Sequence, residues 1–151
     1  MASGFTIDFG NFDASIDELK ARVNIATRNA VALGGHEIER EARAQFSTSG
    51  APHQSSGEPP NTISGTLYRS IKLIPDSPFS TGLGRWQVSV APTTVYGRRI
   101  ELGFVGEDSA GRIYGPPKNP AKYPYLKPGL DKALPILPRI FTDTWRAALT
   151  R

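Results

Sequence analysis

One amphipathic pattern fills the first third of this chain and limits what can be built around it. Ile16, Leu19, Val23, Ala26, Ala30 and Leu33 recur at alternating spacings of three and four residues, which puts them on one face of an α-helix. After Gly34-Gly35 the pattern resumes with Ile38, Ala42 and Phe46. The step from Leu33 to Ile38 breaks the phase and predicts a bend or stutter at the two glycines. Lys20, Arg22, Arg28, Glu37, Glu39, Arg40 and Arg43 occupy the opposite face. Asp13 or Ser15 is placed to cap the start, and Asp17 and Glu18 fall in the first turn, where the positive helix end favours acids. A continuous helix from Ser15 to Phe46 would be ~48 Å long. That exceeds the diameter of a compact domain of this size, so one end is expected to project or to meet another subunit.

The chain has 151 residues, most naturally one domain over 1–151. That length can bury ~70% of the surface of the unfolded chain, so the fold needs no staples. With no cysteine it has no disulfides, which fits a reducing compartment. Met1-Ala2-Ser3-Gly4 has no basic start and no apolar run follows, so no secretory signal is expected. No stretch approaches the ~20 apolar residues that span a membrane.

Phe5, Ile7 and Phe9 alternate with Thr6 and Asp8 and read as a short strand ahead of the helix. Residues 47–63 form a polar Gly/Pro/Ser-rich loop, long enough to imply function or disorder. It is expected to be flexible in the free protein and ordered by a neighbour. Leu67, Ile71 and Ile74 suit one helical turn entering a strand, and residues 75–85 read as the loop that follows. Trp86, Val88 and Val90 alternate with Gln87 and Ser89, a strand buried on one face. Val95 to Phe104 reads as a short helix or a strand. Residues 105–122 form a second Gly/Pro loop, expected to be flexible. Pro135 and Pro138 interrupt the last helical pattern, predicting a short turn at Pro128 to Leu134 and a helix from about Pro138, where proline suits the first turn. Ile140, Phe141, Trp145 and Leu149 give that helix its apolar stripe. The expected core is Ile16, Leu19, Val23, Leu67, Ile71, Val88, Val90, Leu126, Leu130, Phe141 and Trp145.

Little in the sequence speaks for chemistry. His36 and His53 are the only histidines, and two histidines without cysteine make no ligand set. No nucleophile-elbow pattern is present, and Gly82-Leu83-Gly84-Arg85 lacks the spacing of a phosphate loop. No catalytic, cofactor or metal site is expected. Glu101, between Ile100 and Leu102, is expected to be half-buried in a structural ion pair with Arg98 or Arg99. The formal net charge is +4, which permits contact with nucleic acid. Arg98, Arg99 and Tyr96, with Lys118, Lys122, Tyr123 and Tyr125, are a candidate basic-aromatic patch, although a solvated loop face is the favoured reading.

Three short blocks follow the helix in order. They are Ser64-Gly65-Thr66-Leu67-Tyr68-Arg69-Ser70-Ile71, then Tyr96-Gly97-Arg98-Arg99-Ile100-Glu101-Leu102-Gly103-Phe104, then Tyr123-Pro124-Tyr125-Leu126-Lys127-Pro128-Gly129-Leu130. Their order behind a long amphipathic helix, from about Ile16 to Leu149, resembles the small neck and tail-completion proteins of long-tailed bacteriophages, also described as head–tail joining or minor tail proteins. Gly65, Leu67, Ser70 and Ile71 match that family's Thr-Gly-x-Leu-x-x-Ser-Ile segment. Tyr96, Glu101 and Gly103 match its Tyr-x-x-x-x-Glu-x-Gly segment, and Pro124, Tyr125, Leu126 and Pro128 its Pro-aromatic-Leu-x-Pro segment. Ser64 stands where threonine is usual, the loop from Ser47 to Ile63 is longer, and a Gly/Pro insertion follows Phe104.

The resemblance implies an α+β fold: a long N-terminal amphipathic helix packed on a small, mainly antiparallel sheet, with a C-terminal helix and long Gly/Pro-rich loops. It implies a structural virion protein of the head–tail connector, not an enzyme, made in the host cytoplasm and located in the neck or tail. The implied partners are copies of itself in a ring (a hexamer by analogy), the adjacent head-closure or connector proteins, and tail-terminator or tail-tube proteins. DNA would at most pass through the lumen, no membrane is involved, and no cofactor is needed. A basic nucleic-acid-binding module and a small hydrolase or nuclease are the competing classes.

Overall fold

The computed structural model describes residues 10–46, 57–60, 62, 64–82, 84–103, 106–107, 113–114 and 122–150. The expected strand at Phe5 to Phe9 and most of the 47–63 loop lie outside them. The architecture is α+β, built on helix α1 (Phe12–Ala44). Its 33 residues make it ~50 Å long. The helix begins after Asn11 with no side-chain cap. Asp13, expected as a cap, instead sits in the first turn, where its charge still complements the helix dipole.

Helix α1 is continuous through Gly34-Gly35. The two glycines serve close contact. A Cβ on Gly35 would lie 2.9 Å from the Val88 side chain and 3.1 Å from that of Leu73, and one on Gly34 would lie 3.3 Å from Leu137. Glycine costs a helix interior ~1 kcal/mol relative to alanine. Here it lets elements close on α1 from two sides.

On one side is a hairpin. The short helix α2 (Thr66–Ser70) turns directly into β1 (Ile71–Ser80), which pairs antiparallel with β2 (Trp86–Pro92). The register runs Leu73↔Val90 and Phe79↔Gln87, with a shift between Ile74 and Phe79. Residues 75–80, read from sequence as loop, are therefore strand. Their two prolines disguised them, and the register shift accommodates proline in a ladder.

On the other side are two helices where sequence suggested a turn and one helix: α4 (Leu126–Ala133) and α5 (Leu137–Leu149). Pro128 occupies the third position of α4, where no intrahelical partner for an N–H exists, so it does not break the helix. Helix α5 lies antiparallel on α1. Leu137 and Phe141 approach Gly34, and the Arg22 guanidinium donates to the Ala148 carbonyl at 3.1 Å. The first turns of α1 extend past the end of α5 by ~10–15 Å. Helix α3 (Gly97–Leu102) resolves the ambiguous 95–104 segment as helix. Within the second Gly/Pro loop, β3 (Gly106–Glu107) pairs with β4 (Ile113–Tyr114).

The closed core is small. Ala26, Ala30, Ala42, Leu67, Ile71, Leu73, Tyr125 and Ala133 are buried. Of the expected core, Ile16, Val23, Val88, Val90, Leu126 and Phe141 are half-buried. Leu19, Leu130 and Trp145 are 43%, 38% and 42% exposed, so those three are not core. Leu130 borders an open trough between the hairpin and the C-terminal helices, which both pack on α1 but not fully on each other; Leu19 and Trp145 lie outside that trough, on faces of α1 and α5 that the described fold leaves partly uncovered.

Candidate assembly surface

The three sequence blocks converge at the C-terminal end of α1. Leu67 and Ile71 from the first block and Tyr125 from the third pack with Ala42, flanked by Phe46, Val90, Ile100 and Leu126. Gly65 takes a left-handed conformation (φ 70°) at the start of α2, and Gly103 (φ 84°) ends α3. Such backbone suits residues without a Cβ. The Ser70 hydroxyl donates to the Leu67 carbonyl at 2.7 Å and lies 3.4 Å from the Thr94 hydroxyl. Tyr96 is partly exposed and shares a small cleft with Phe46, Pro60 and Leu67. Pro60 is buried, and the Gly57 amide donates to the Lys122 carbonyl at 2.8 Å, so residues 57–60 are fastened here.

Glu101 joins the second block to the third. Its carboxylate accepts from the backbone amides of Tyr125, Leu126 and Lys127 at 2.7, 2.9 and 3.0 Å. These are amides that the start of α4 leaves without intrahelical partners, so Glu101 caps α4 from 24 or more residues away. The expected role, an ion pair with Arg98 or Arg99, gives way to this one; both arginines are exposed on α3. A negative carboxylate at a helix N-terminus gains from charge-assisted bonds and from the dipole.

Tyr125 is fully buried. Its hydroxyl donates to the Gly97 carbonyl at 3.3 Å. Burial first, then the charge of Glu101 and the proximity of Tyr96, push its pKa well above that of a free phenol. Pro124 and Pro128, both half-buried, flank it. Helix α4 then touches α1: a Cβ on Gly129 would lie 2.5 Å from backbone atoms of Ala42. Arg43 adds a link no motif announced. Its guanidinium donates to the Ile71 carbonyl at 2.6 Å, pairs with Glu39 at 2.7 Å, and lies over the Tyr68 ring at 5.7 Å. These groups form a structural knot that ties α1, β1, α3 and α4 together within the subunit.

The outward-facing features lie elsewhere. An open cavity of about 440 Å³ runs between β2 and the C-terminal helices, floored by Gly34, Gly35 and Ile38 and walled by Val88, Val90, Leu137 and Phe141. Beyond it, Ile25 and Leu33 on α1 and Trp145 and Leu149 on α5 are exposed. Among the described residues, no three His, Cys, Asp or Glu side chains gather where they would hold a metal ion. His36 lies 3.4 Å from Glu39, and His53 is outside the described residues. No described helix is long and apolar enough to cross a membrane. The basic-aromatic patch loses one of its two downstream tyrosines, since buried Tyr125 has no face to offer a base; Lys118 is outside the described residues. No protein-family model matches this chain, and no curated protein or solved structure is significantly similar to it.

Proposed function

We propose that this chain is a structural subunit of the head–tail connector of a tailed bacteriophage, assembling into a ring that joins or completes the tail, without catalytic activity. The observation that carries this reading is the helix α1 itself, whose N-terminal turns run past the rest of the described fold while apolar side chains stay exposed along it and along α5. Apolar exposure of that extent marks association surfaces. The order of the three blocks, with its resemblance to neck proteins, gives the assembly its identity. The contact joins unlike patches, since the projecting end and the open trough are different surfaces, and head-to-tail contacts of that kind build rings when the rotation between copies closes. Six copies are assigned by analogy with the family resembled. The neighbours are head-closure and tail-terminator or tail-tube proteins, and the location is the virion neck.

Negative-stain imaging of the concentrated protein is expected to show closed rings. Mass spectrometry of purified particles of the phage that encodes this chain is expected to detect it, and its absence from them overturns the reading.

A further inference from the structure

A free strand edge and an apolar trough lie side by side in this fold. In an antiparallel ladder, residues alternate between bonding to the partner strand and pointing away from it. The Thr93 amide donates to the Ser70 carbonyl, and the Thr81 amide to the Arg85 carbonyl, both at 2.9 Å. Counting inward from these two bonds through the register, Gln87, Ser89 and Ala91 face β1, while Val88 and Val90 turn their amides and carbonyls outward. Those outward groups have no backbone partner among the described residues. The outer edge of β1 differs, because Arg43 covers the Ile71 carbonyl there. The uncovered edge of β2 borders the trough, and the side chains of Val88 and Val90 form its wall.

We propose that the N-terminal arm of a neighbouring copy, Phe5 to Phe9, adds to the outer edge of β2 as a third strand and seats Phe5, Ile7 and Phe9 in the trough. The inference rests on the ring reading above and names the contact that builds it. The arm alternates apolar and polar residues with the period of a strand, so pairing would direct all three apolar side chains to one face. Strand addition of this kind combines backbone bonds with side-chain pockets. It would also close a sheet edge of the sort that otherwise invites indiscriminate pairing.

Reach identifies the donor as another copy. Val88 packs beside Gly35, which is ~38 Å along α1 from Gly10 at 1.5 Å per residue. Residues 5–9, fully extended, span at most ~17 Å. The chain's own arm falls short of its own trough. The projecting turns of α1 carry the arm outward, toward a neighbour.

The test uses the full chain, which contains no cysteine. Asp8→Cys or Thr6→Cys is combined with Ser89→Cys; all three positions lie on the solvent face of the proposed three-stranded sheet. Oxidation of the concentrated double variants is expected to give a ladder of disulfide-linked species beyond the dimer, whereas single-cysteine variants stop at dimers. A disulfide-closed monomer places the chain's own arm on the edge and overturns the proposal, as does a lack of linked species beyond the dimer. Sedimentation of the wild type separates this failure from failure of the ring: closed oligomers that do not cross-link remove the arm and leave the ring standing. In the Phe5→Asp/Ile7→Asp variant, self-association is expected to weaken roughly a hundredfold or more, and the Val88 and Val90 amides to lose hydrogen-exchange protection. Protection that persists assigns the edge to another occupant, such as the chain's own 108–121 segment, and overturns the proposal.

Discussion

Around Ala42 the long helix meets the α2 turn, the start of β1, and α4, and the large side chains there are closed off from solvent. Around Leu19 and Ile25, some 25–35 Å away along the same helix, apolar side chains of similar size stay exposed. Both places carry apolar residues at helical spacing, with a phase step between Leu33 and Ile38. The difference lies in what the rest of the chain supplies. At the C-terminal end three blocks return to one spot and are tied by Glu101, Tyr125 and Arg43. At the N-terminal end α5 covers one flank only, and the first turns pass beyond it. One end is closed within the subunit, and the other leaves large apolar side chains exposed.

Tyr125→Ala is the strongest way to break the comparison. It removes a fully buried ring and is expected to destabilise the monomer by ~3–5 kcal/mol, measured by chemical denaturation. A loss below ~1 kcal/mol would show that the knot does not hold the subunit together. Gly129→Ala comes next. Its methyl group would meet the backbone of Ala42, which cannot step aside as a side chain does, so a cost of ~3 kcal/mol is expected. Glu101→Ala leaves three amides at the start of α4 without their acceptor and should cost ~2 kcal/mol. Glu101→Gln, keeping one acceptor oxygen, should cost less, and equal losses would argue against capping.

Trp145→Ala probes the other end. With 42% of the residue exposed, the expected loss is ~1–2 kcal/mol, short of the ~3–5 of a fully buried tryptophan. Its larger effect should fall on assembly, read by sedimentation. The smallest effect expected is that of Tyr125→Phe, ~1 kcal/mol at neutral pH. The hydroxyl nevertheless gives the knot a pH signature. The folded pKa of Tyr125 is raised above its unfolded value, so its contribution is complete below pH ~10, where a free tyrosine ionises, and is lost progressively above that. Thermal melts from pH 8 to 11 should show a decline in the wild type that is shallower in Tyr125→Phe.

Much of the layout was legible in the chain. The 3.6-residue period of α1 survives because a helix buries a stripe whatever packs on it, and the alternation at Trp86 to Val90 marks β2 for the corresponding reason. The turn of helix entering a strand at Leu67 to Ile71 was readable too. The strand at 75–80 and the helix at 126–133 were hidden by prolines, because sequence shows that proline removes a donor but not that the local position needs none.

Glu101 shows most clearly where the sequence stops. Its half-buried setting was visible between Ile100 and Leu102, but its partners are backbone amides at 125–127, and backbone groups leave no mark in a sequence. Gly34-Gly35 read as a bend or stutter because the apolar phase steps from Leu33 to Ile38, while the close approach of Leu73, Val88 and Leu137 that glycine permits exists only once the elements have docked. The sequence by itself determined the elements whose periodicity is local: the long helix, the apolar stripe of α5 and the β2 alternation. The tertiary structure alone decided which apolar faces were covered, because burial depends on whether a second element reaches a face, and Leu19 and Ala42, both apolar positions of one helix, have opposite outcomes.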